Sequence, residues 1–331
     1  TADVAQVVGR KNLIINGNFQ VAQRATTYSS GTDNGYLTAD RWHVNNSGGT
    51  STISLQDFTV GQTDVPGFPQ RYFRFESTIA NNNQGVHQRV EDVRVLGGRT
   101  VTLSFWAKGT NPTGGHFVSS WIQDFGTGGS TDIETEMASN IVLTSHWKKY
   151  TITTTVPSIE GKTVGASSFT WVEILRQPYN DYGTNAWTAD IAQVQLELGS
   201  VATDFEHRSY GEELALCQRY AWVIDDTNSS SPVMSVMNAN GGVANDTFRG
   251  QVRFPVEMRA VPSVSVIGTN SFKVQSGTSG TDATYFGLWT GGSSKIAAWL
   301  NWTPALDIGN AREIAYVYRN NAGTLLFDAE L

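Results

Sequence analysis

The 331-residue sequence predicts an all-β protein with an N-terminal jelly-roll β-sandwich, a short helical hinge and a smaller C-terminal β-sandwich. Three observations lead there. Short runs of apolar and polar alternation recur between clusters of Gly, Asn and Ser, the pattern of a sandwich. Charged residues make up only 16% while glycine contributes 33, a balance that favours strands and turns over long helices. The length is about twice that of an ordinary domain, so two cores are expected.

Residues 1–10 carry Val4, Val7 and Val8 at helical spacing and read as a brief helix or an attachment arm. From Asn12 the texture changes to a first strand, Leu13-Ile14-Ile15, kinked by the turn-forming Asn16-Gly17-Asn18 ahead of Phe19 and Val21. Further strands are expected at 52–58, 71–77, 86–90, 99–108, 116–123, 147–156, 170–176 and 190–198. Within 101–107 the odd positions Val101, Leu103, Phe105 and Ala107 are all apolar, so that face of the strand is buried. The jelly roll therefore spans 11–204.

Segment 205–222 breaks the rhythm. Glu212, Glu213, Leu214, Leu216, Cys217 and Tyr220 suit a short helix that starts near Ser209, with acids in its first turn where the helix dipole favours them. This segment reads as the hinge. Strands return at 233–238, 248–254, 263–267, 283–289, 296–301, 312–319 and 324–329, giving a second sandwich over 223–331 with Pro255 and Pro262 at strand ends. No repeat of fixed period is visible, which disfavours propellers and solenoids.

Several function classes are disfavoured. The net charge of −7, with no basic run longer than Lys148-Lys149, argues against nucleic-acid binding. No apolar run approaches the ~20 residues of a membrane-spanning helix. No basic, apolar leader opens the chain, so export by a signal peptide is not expected. The single cysteine, Cys217, excludes an internal disulfide and a thiolate-rich zinc site, and is expected to pack. His43, His87, His116, His146 and His207 show no metal-ligand spacing. Glycan cleavage would need two carboxylates across a cleft. Asp124 with Asp132 or Glu134, and Asp181, are available, but each lies in or beside a turn-rich loop where solvated acids are ordinary. No nucleophile elbow is present, and no catalytic residue is assigned.

The motifs Asn12-Leu13-Ile14-Ile15-Asn16-Gly17-Asn18-Phe19, Asp40-Arg41-Trp42, Leu103-Ser104-Phe105-Trp106-Ala107-Lys108, Trp147-Lys148-Lys149-Tyr150 and Ile191-Ala192-Gln193-Val194-Gln195-Leu196-Glu197 follow one another in order. Over residues 11–200 the chain is similar to the jelly-roll carbohydrate-binding modules appended to cellulases and xylanases. With Phe205-Glu206, Tyr210-Gly211-Glu212-Glu213-Leu214, Cys217, Arg219-Tyr220, the Phe254-Pro255 to Val261-Pro262 stretch and the final Phe327-Asp328-Ala329-Glu330-Leu331, nearly the whole chain resembles bacteriophage tail-fibre receptor-binding proteins. That resemblance implies a homotrimer on the virion, joined to phage tail or adaptor proteins through its N-terminus. It also implies attachment to a host surface glycan or outer-membrane receptor without catalysis. A bacterial carbohydrate-binding protein or adhesin is the alternative, and a glycan depolymerase a second. Modules of this type commonly hold a structural calcium, partly through an acid in the last strand. Here that strand reads Ile191-Ala192-Gln193-Val194, which leaves Asp190 as a weak candidate ligand, and no other cofactor is expected.

Sugars are held by flat rings against their apolar faces and by polar groups at their hydroxyls. The aromatic residues best placed for this are those in turn-rich loops: Tyr36 in the first domain, Tyr179, Tyr182 and Trp187 in 178–187, and Trp289 in the second domain. Trp106 and Trp171 lie within strong strands and are expected in the core, while Trp121 could face either side. Trp299 and Trp302 could serve recognition or pack at a trimer axis.

Overall fold

The computed structural model describes residues 10–31, 33–46, 49–79, 84–112, 115–177, 186–224, 232–238, 247–267, 272–276, 279–289, 291–304, 314–319 and 324–331. The protein is all-β, with one α-helix among the described residues. It divides into two compact units, Thr1–Glu213 with Leu331, and Leu214–Glu330.

In unit 1 the strands are, in chain order, β1 Thr27–Gly31, β2 His43–Asn46, β3 Thr50–Asp57, β4 Arg71–Ile79, β5 Gln84–Glu91, β6 Thr100–Gly109, β7 Phe117–Asp124, β8 Ile133–Ile141, β9 Lys148–Thr155, β10 Phe169–Arg176 and β11 Trp187–Leu198. They form a six-stranded sheet in the order β1-β3-β4-β11-β6-β9 and a five-stranded sheet in the order β2-β5-β10-β7-β8. Every pairing is antiparallel, so each strand can send alternate side chains inward and outward.

Strand β6 obeys that rule: Val101, Leu103, Phe105 and Ala107 are fully buried in a core shared with Trp42, Phe73, Phe75, Trp121, Val172 and Ile191. The remaining positions of β6 face away from that core. Three strands of this unit, β1, β2 and β8, lie outside the segments expected from sequence, because their residues are mostly polar. In β8 the run Ile133-Glu134-Thr135-Glu136 is exposed or half-buried throughout.

The segment expected to form the first strand does not do so. Residues 12–20 run as bends and turns beside β11, tied to it by Leu13 N–H donating to Leu196 O at 2.9 Å and Val194 N–H donating to Gly17 O at 2.9 Å. Asn16 and Phe19 take left-handed backbone angles (φ 58° and 54°), which regular strand geometry does not accommodate. The buried Asn16 side chain offsets the lost ladder bonds. Its Nδ2 donates to Val21 O at 2.8 Å and Asp40 O at 3.0 Å, and its Oδ1 accepts from Val21 N at 3.0 Å. The apolar run Leu13 to Ile15 reads as a strand, and these local bonds override it.

Helix α1, Tyr210–Gln218, forms where the hinge was expected, and the division between units falls within it. Ser209 caps it: its Oγ accepts from Glu212 N at 3.3 Å and its carbonyl from Glu213 N at 3.0 Å. Cys217 is fully buried, in keeping with packing.

Unit 2 contains β12 Ala221–Ile224, β13 Pro232–Asn238, β14 Phe248–Arg253, β15 Ser263–Ile267, β16 Phe272–Ser276, β17 Ser279–Leu288, β18 Ala297–Pro304, β19 Ile314–Arg319 and β20 Thr324–Asp328. Here the smaller sandwich takes the form of a closed six-stranded barrel, β13-β14-β18-β17-β16-β19, accompanied by a three-stranded sheet, β12-β20-β15. Closure removes the open edges that a sheet of this length would expose. Its core holds Phe248, Trp302, Leu300, Val317, Leu325 and Phe327.

Candidate binding groove

The outer face of the six-stranded sheet follows from the alternation of β6. With its odd positions inside, Thr102, Ser104, Trp106 and Lys108 stand on the opposite face. Register places Lys149 of β9 beside Trp106, Thr151 beside Ser104 and Thr153 beside Thr102. On the other side Gln195 of β11 pairs with Ser104 and Glu197 with Thr102. A bulge separates Ala192 from Gln195, and Gln193 within it has φ 50°.

Two segments frame this face. Gln193 Nε2 donates to Pro66 O at 2.7 Å, pinning the β3–β4 loop. The stretch after β11 is strapped across by Gln195, whose Oε1 accepts from Glu206 N at 2.8 Å and whose Nε2 donates to Asp204 O at 3.2 Å. Glu197 accepts Thr203 N–H at 3.0 Å in the same strap. Gly67 sits at φ +75°, where a Cβ would come within 2.6 Å of His207 Nε2. The two segments therefore approach more closely than a side chain would allow.

Between them lies a cavity of about 390 Å³. Ser104 and the half-buried Trp106 contribute from the sheet, Pro66 and Gly67 from the loop, and Asp204, Phe205 and His207 from the strap, with Lys149 and Gln193 at its sides. Phe205 packs edge-on against His207 with centroids 5.1 Å apart. The volume falls within the range of small-ligand sites, and the lining combines flat rings with separate donors and acceptors.

On the same face β4 and the entry to β9 build a second aromatic group. Phe58, Tyr72 and Trp147 pack with centroids 4.9 to 5.3 Å apart. Lys108 Nζ lies 5.2 Å from the Trp147 ring, and the Arg74 guanidinium 5.7 Å from Tyr72. Burial, then the negative charge of Asp190, raises the Tyr72 phenol above its ordinary pKa.

Asp190 is not free to bind calcium. Its carboxylate is almost wholly buried and takes a two-pronged bond from Arg74, Nε to Oδ1 at 2.7 Å and Nη2 to Oδ2 at 2.8 Å, with Lys108 at 3.9 Å. Hydrogen bonding to Asp190 raises the Arg74 pKa further, which holds the guanidinium charged. A cation would have to displace a fixed guanidinium. No group of three or more His, Cys, Asp or Glu suited to a metal occurs among the described residues.

Of the glycan candidates named from sequence, Tyr36, Trp187 and Trp289 lie within the described residues. Trp187 is a correction: it is 2% exposed, stacked on Phe75 at 4.8 Å and edge-on to Phe117, with its indole N–H donating to Gln177 Oε1 at 3.0 Å. It lies in an apparent loop sequence but opens β11, so its ring enters the core. Tyr36 is half-buried, edge-on to His43 with Arg24 over its ring at 5.5 Å. Tyr179 and Tyr182 lie outside the described residues. Trp289, in unit 2, keeps 38% exposure, but the Arg249 guanidinium covers its ring at 4.9 Å.

Trp106 is the groove residue that the sequence reading sent to the core. The alternation that buries Phe105 turns Trp106 outward, so the signal was present in the same seven residues. Trp171 is half-buried too, on the outer face of the other sheet, whereas Trp121 and Trp302 are in cores.

Of the carboxylates considered for cleavage, Asp124 closes a turn by accepting Gly126 N–H at 2.7 Å, and Glu134 accepts Arg176 Nη2 at 3.4 Å. Burial and the nearby Asp124 charge raise the Asp132 pKa. Asp181 lies outside the described residues. A carboxylate that sequence did not single out, Glu173, is 1% exposed, accepts Ser120 Oγ–H at 2.5 Å and Arg176 Nε–H at 2.8 Å, and has its pKa raised by burial.

No protein-family model matches the sequence, and no curated protein matches it. Among solved structures, the enzymatically active domain of tailspike protein 4 of bacteriophage CBA120 aligns at 14% identity and TM-score 0.36, over 57% of this chain and 21% of that one. The CBM22-2 xylan-binding domain of Paenibacillus barcinonensis Xyn10C aligns at 19% identity and TM-score 0.32, over 48% of this chain and 92% of that one. A Stig cyclase from Fischerella sp. TAU aligns at 13% identity and TM-score 0.35, over 58% and 98%. Likenesses of this size do not carry a function from those proteins to this chain.

Proposed function

We propose that this chain is the receptor-binding part of a bacteriophage tail fibre, assembled as a homotrimer on the virion, and that it holds a host-surface glycan over Trp106 without cleaving it. The observation that carries the binding is the cavity of about 390 Å³ on the outer face of the six-stranded sheet. Trp106 offers an indole for the apolar face of a pyranose ring. Lys149, Gln193, Asp204 and His207 offer charged and neutral partners for its hydroxyls. Asp204 is the one carboxylate among the lining residues, whereas glycoside hydrolysis ordinarily uses two. The fibre and its trimer rest on the resemblance of the ordered sequence motifs.

An array of host capsule and lipopolysaccharide oligosaccharides tests the groove. Trp106→Ala should weaken the retained glycan by at least about tenfold with the fold intact, as for a central aromatic anchor. Unchanged binding by that variant would remove the groove from the proposal. Incubation with the bound polymer should leave its chain length unaltered. The mass in solution should be that of three chains, and a stable monomer missing from purified virions would overturn the fibre reading.

A further inference from the structure

We infer that unit 2 carries a second, separate site, for a carboxylate-bearing sugar, built around Arg249. Register places Arg249 of β14 opposite Asn301 of β18, and Gln251 opposite Trp299. The alternation of β14 buries Phe248, Gly250 and Val252, so Arg249, Gln251 and Arg253 share the outer face of the barrel. At the end of β17 the chain turns back: Trp289 N–H donates to Trp299 O at 2.8 Å, and Ser293 Oγ donates to Trp289 O at 2.9 Å while accepting Trp299 N–H at 3.0 Å. Gly292 permits this turn to press on both rings, since a Cβ there would lie 2.8 Å from Trp289 and from Trp299. The two indoles stand nearly perpendicular, 88° apart with centroids at 6.0 Å.

Arg249 is fixed on this frame by two contacts. Its guanidinium lies 4.9 Å over the Trp289 ring, and its Nε donates to Asn301 Oδ1 at 3.0 Å. The ring contact and the Nε bond together restrain the guanidinium. Its Nη1 and Nη2 are then the free edge, with no partner among the described residues. A guanidinium held this way presents two parallel N–H groups at the spacing of the two oxygens of a carboxylate. Lysine could supply the charge but not the fork. The exposed amide of Gln251 and the half-buried Trp299 beside it supply a hydroxyl partner and a ring edge, as a uronic or sialic acid residue would require. The covered Trp289 serves as the support for Arg249, and the ligand meets the guanidinium.

The inference shares the glycan-binding reading of the protein but none of the groove residues, so the two fail separately. The test is an array of oligosaccharides containing uronic or sialic acids, each printed beside its carboxyl-reduced counterpart, probed with the full chain and three variants. The acids should be retained over their reduced forms, and Arg249→Lys and Arg249→Ala should each lose that preference by about tenfold or more, as expected for a two-pronged bond to a charged group. Trp106→Ala should keep it. Equal retention of acids and reduced forms, or wild-type retention by Arg249→Lys, overturns the inference. An acid preference lost in Trp106→Ala and kept in Arg249→Lys assigns it to the groove and overturns it equally. Thermal melts of Arg249→Lys should match the parent chain, which separates lost recognition from lost fold.

Discussion

On the outer face of the six-stranded sheet, Trp106 borders open space; on the outer face of the five-stranded sheet, Trp171 is covered. There, Trp171 stacks on His87 at 4.1 Å and His87 on His43 at 4.5 Å, while the Arg89 guanidinium lies 4.6 Å from Trp171 and 5.0 Å from Phe169. Both faces arise from the same period-two rule, and both carry aromatic rings with cationic neighbours. On β5 it is His87 and Arg89 that turn outward while Val86 enters the core. What separates Trp106 from Trp171 is whether the ring has another ring against it. His87 is fully buried and neither of its ring nitrogens has a hydrogen-bond partner among the described residues, so the imidazole acts there as a flat filler. Trp106 has no such stack among the described residues, and its ring meets a cavity edged by polar groups. An outward aromatic residue on a sandwich is thus a binding candidate only when the register leaves it without a ring on the neighbouring strand.

The largest test of this contrast sets Trp187 against Trp106. Removal of a buried, stacked indole leaves a cavity, so Trp187→Ala should cost about 3–5 kcal/mol in denaturant unfolding. Trp106→Ala should cost about 1 kcal/mol or less and act on glycan retention instead. If Trp106→Ala destabilises the protein as strongly as Trp187→Ala, the groove is a packing defect and the comparison collapses.

Next in size is the response to acid. Burial, followed by the nearby Arg89 charge, lowers the His43 pKa from 6.5 to about 4; the same burial, with the His43 and Arg89 charges, drives His87 well below its ordinary value. The folded state therefore binds fewer protons than the unfolded chain in this window. Stability should be full above pH 6.5 and fall as pH drops towards 4, by about 3 kcal/mol for His43 alone. Urea titrations across this range measure it. His43→Phe combined with His87→Phe should flatten the slope; an unchanged slope would place the acid sensitivity outside the stack.

These examples also mark what the sequence could convey. Alternation in 101–107 defined β6 and, applied to the even positions, the outward face of Trp106. It could not show that Lys149 stands beside Trp106 or that His43 lies opposite His87, because strand pairing across the chain follows from topology. The five histidines looked scattered for this reason. Strands with a continuous apolar face, such as β6 and β10, were evident. The polar β1, β2 and β8 were not, since their stability comes from neighbours rather than from their own pattern. The loop reading of Trp187 failed at an element boundary, where turn-forming residues run directly into a buried strand.

The smallest effect bears on how the open face stays open. Gly67 holds a left-handed backbone beside His207, so two costs would fall on Gly67→Ala: the conformation itself, about 1–2 kcal/mol, and the contact of the new methyl with the imidazole. His207 is exposed and its ring can move aside, which makes the backbone term the larger. Adding His207→Ala should then restore little of the lost stability. Glycan retention should divide the two terms differently, because His207 lines the cavity and the β3–β4 loop is tied to the sheet by Gln193. Gly67→Ala should weaken retention by shifting the loop, and the double variant should weaken it further by removing a polar partner. If the double variant instead recovers both stability and retention, the close approach of loop and strap is crowding at the rim, and the cavity does not depend on it.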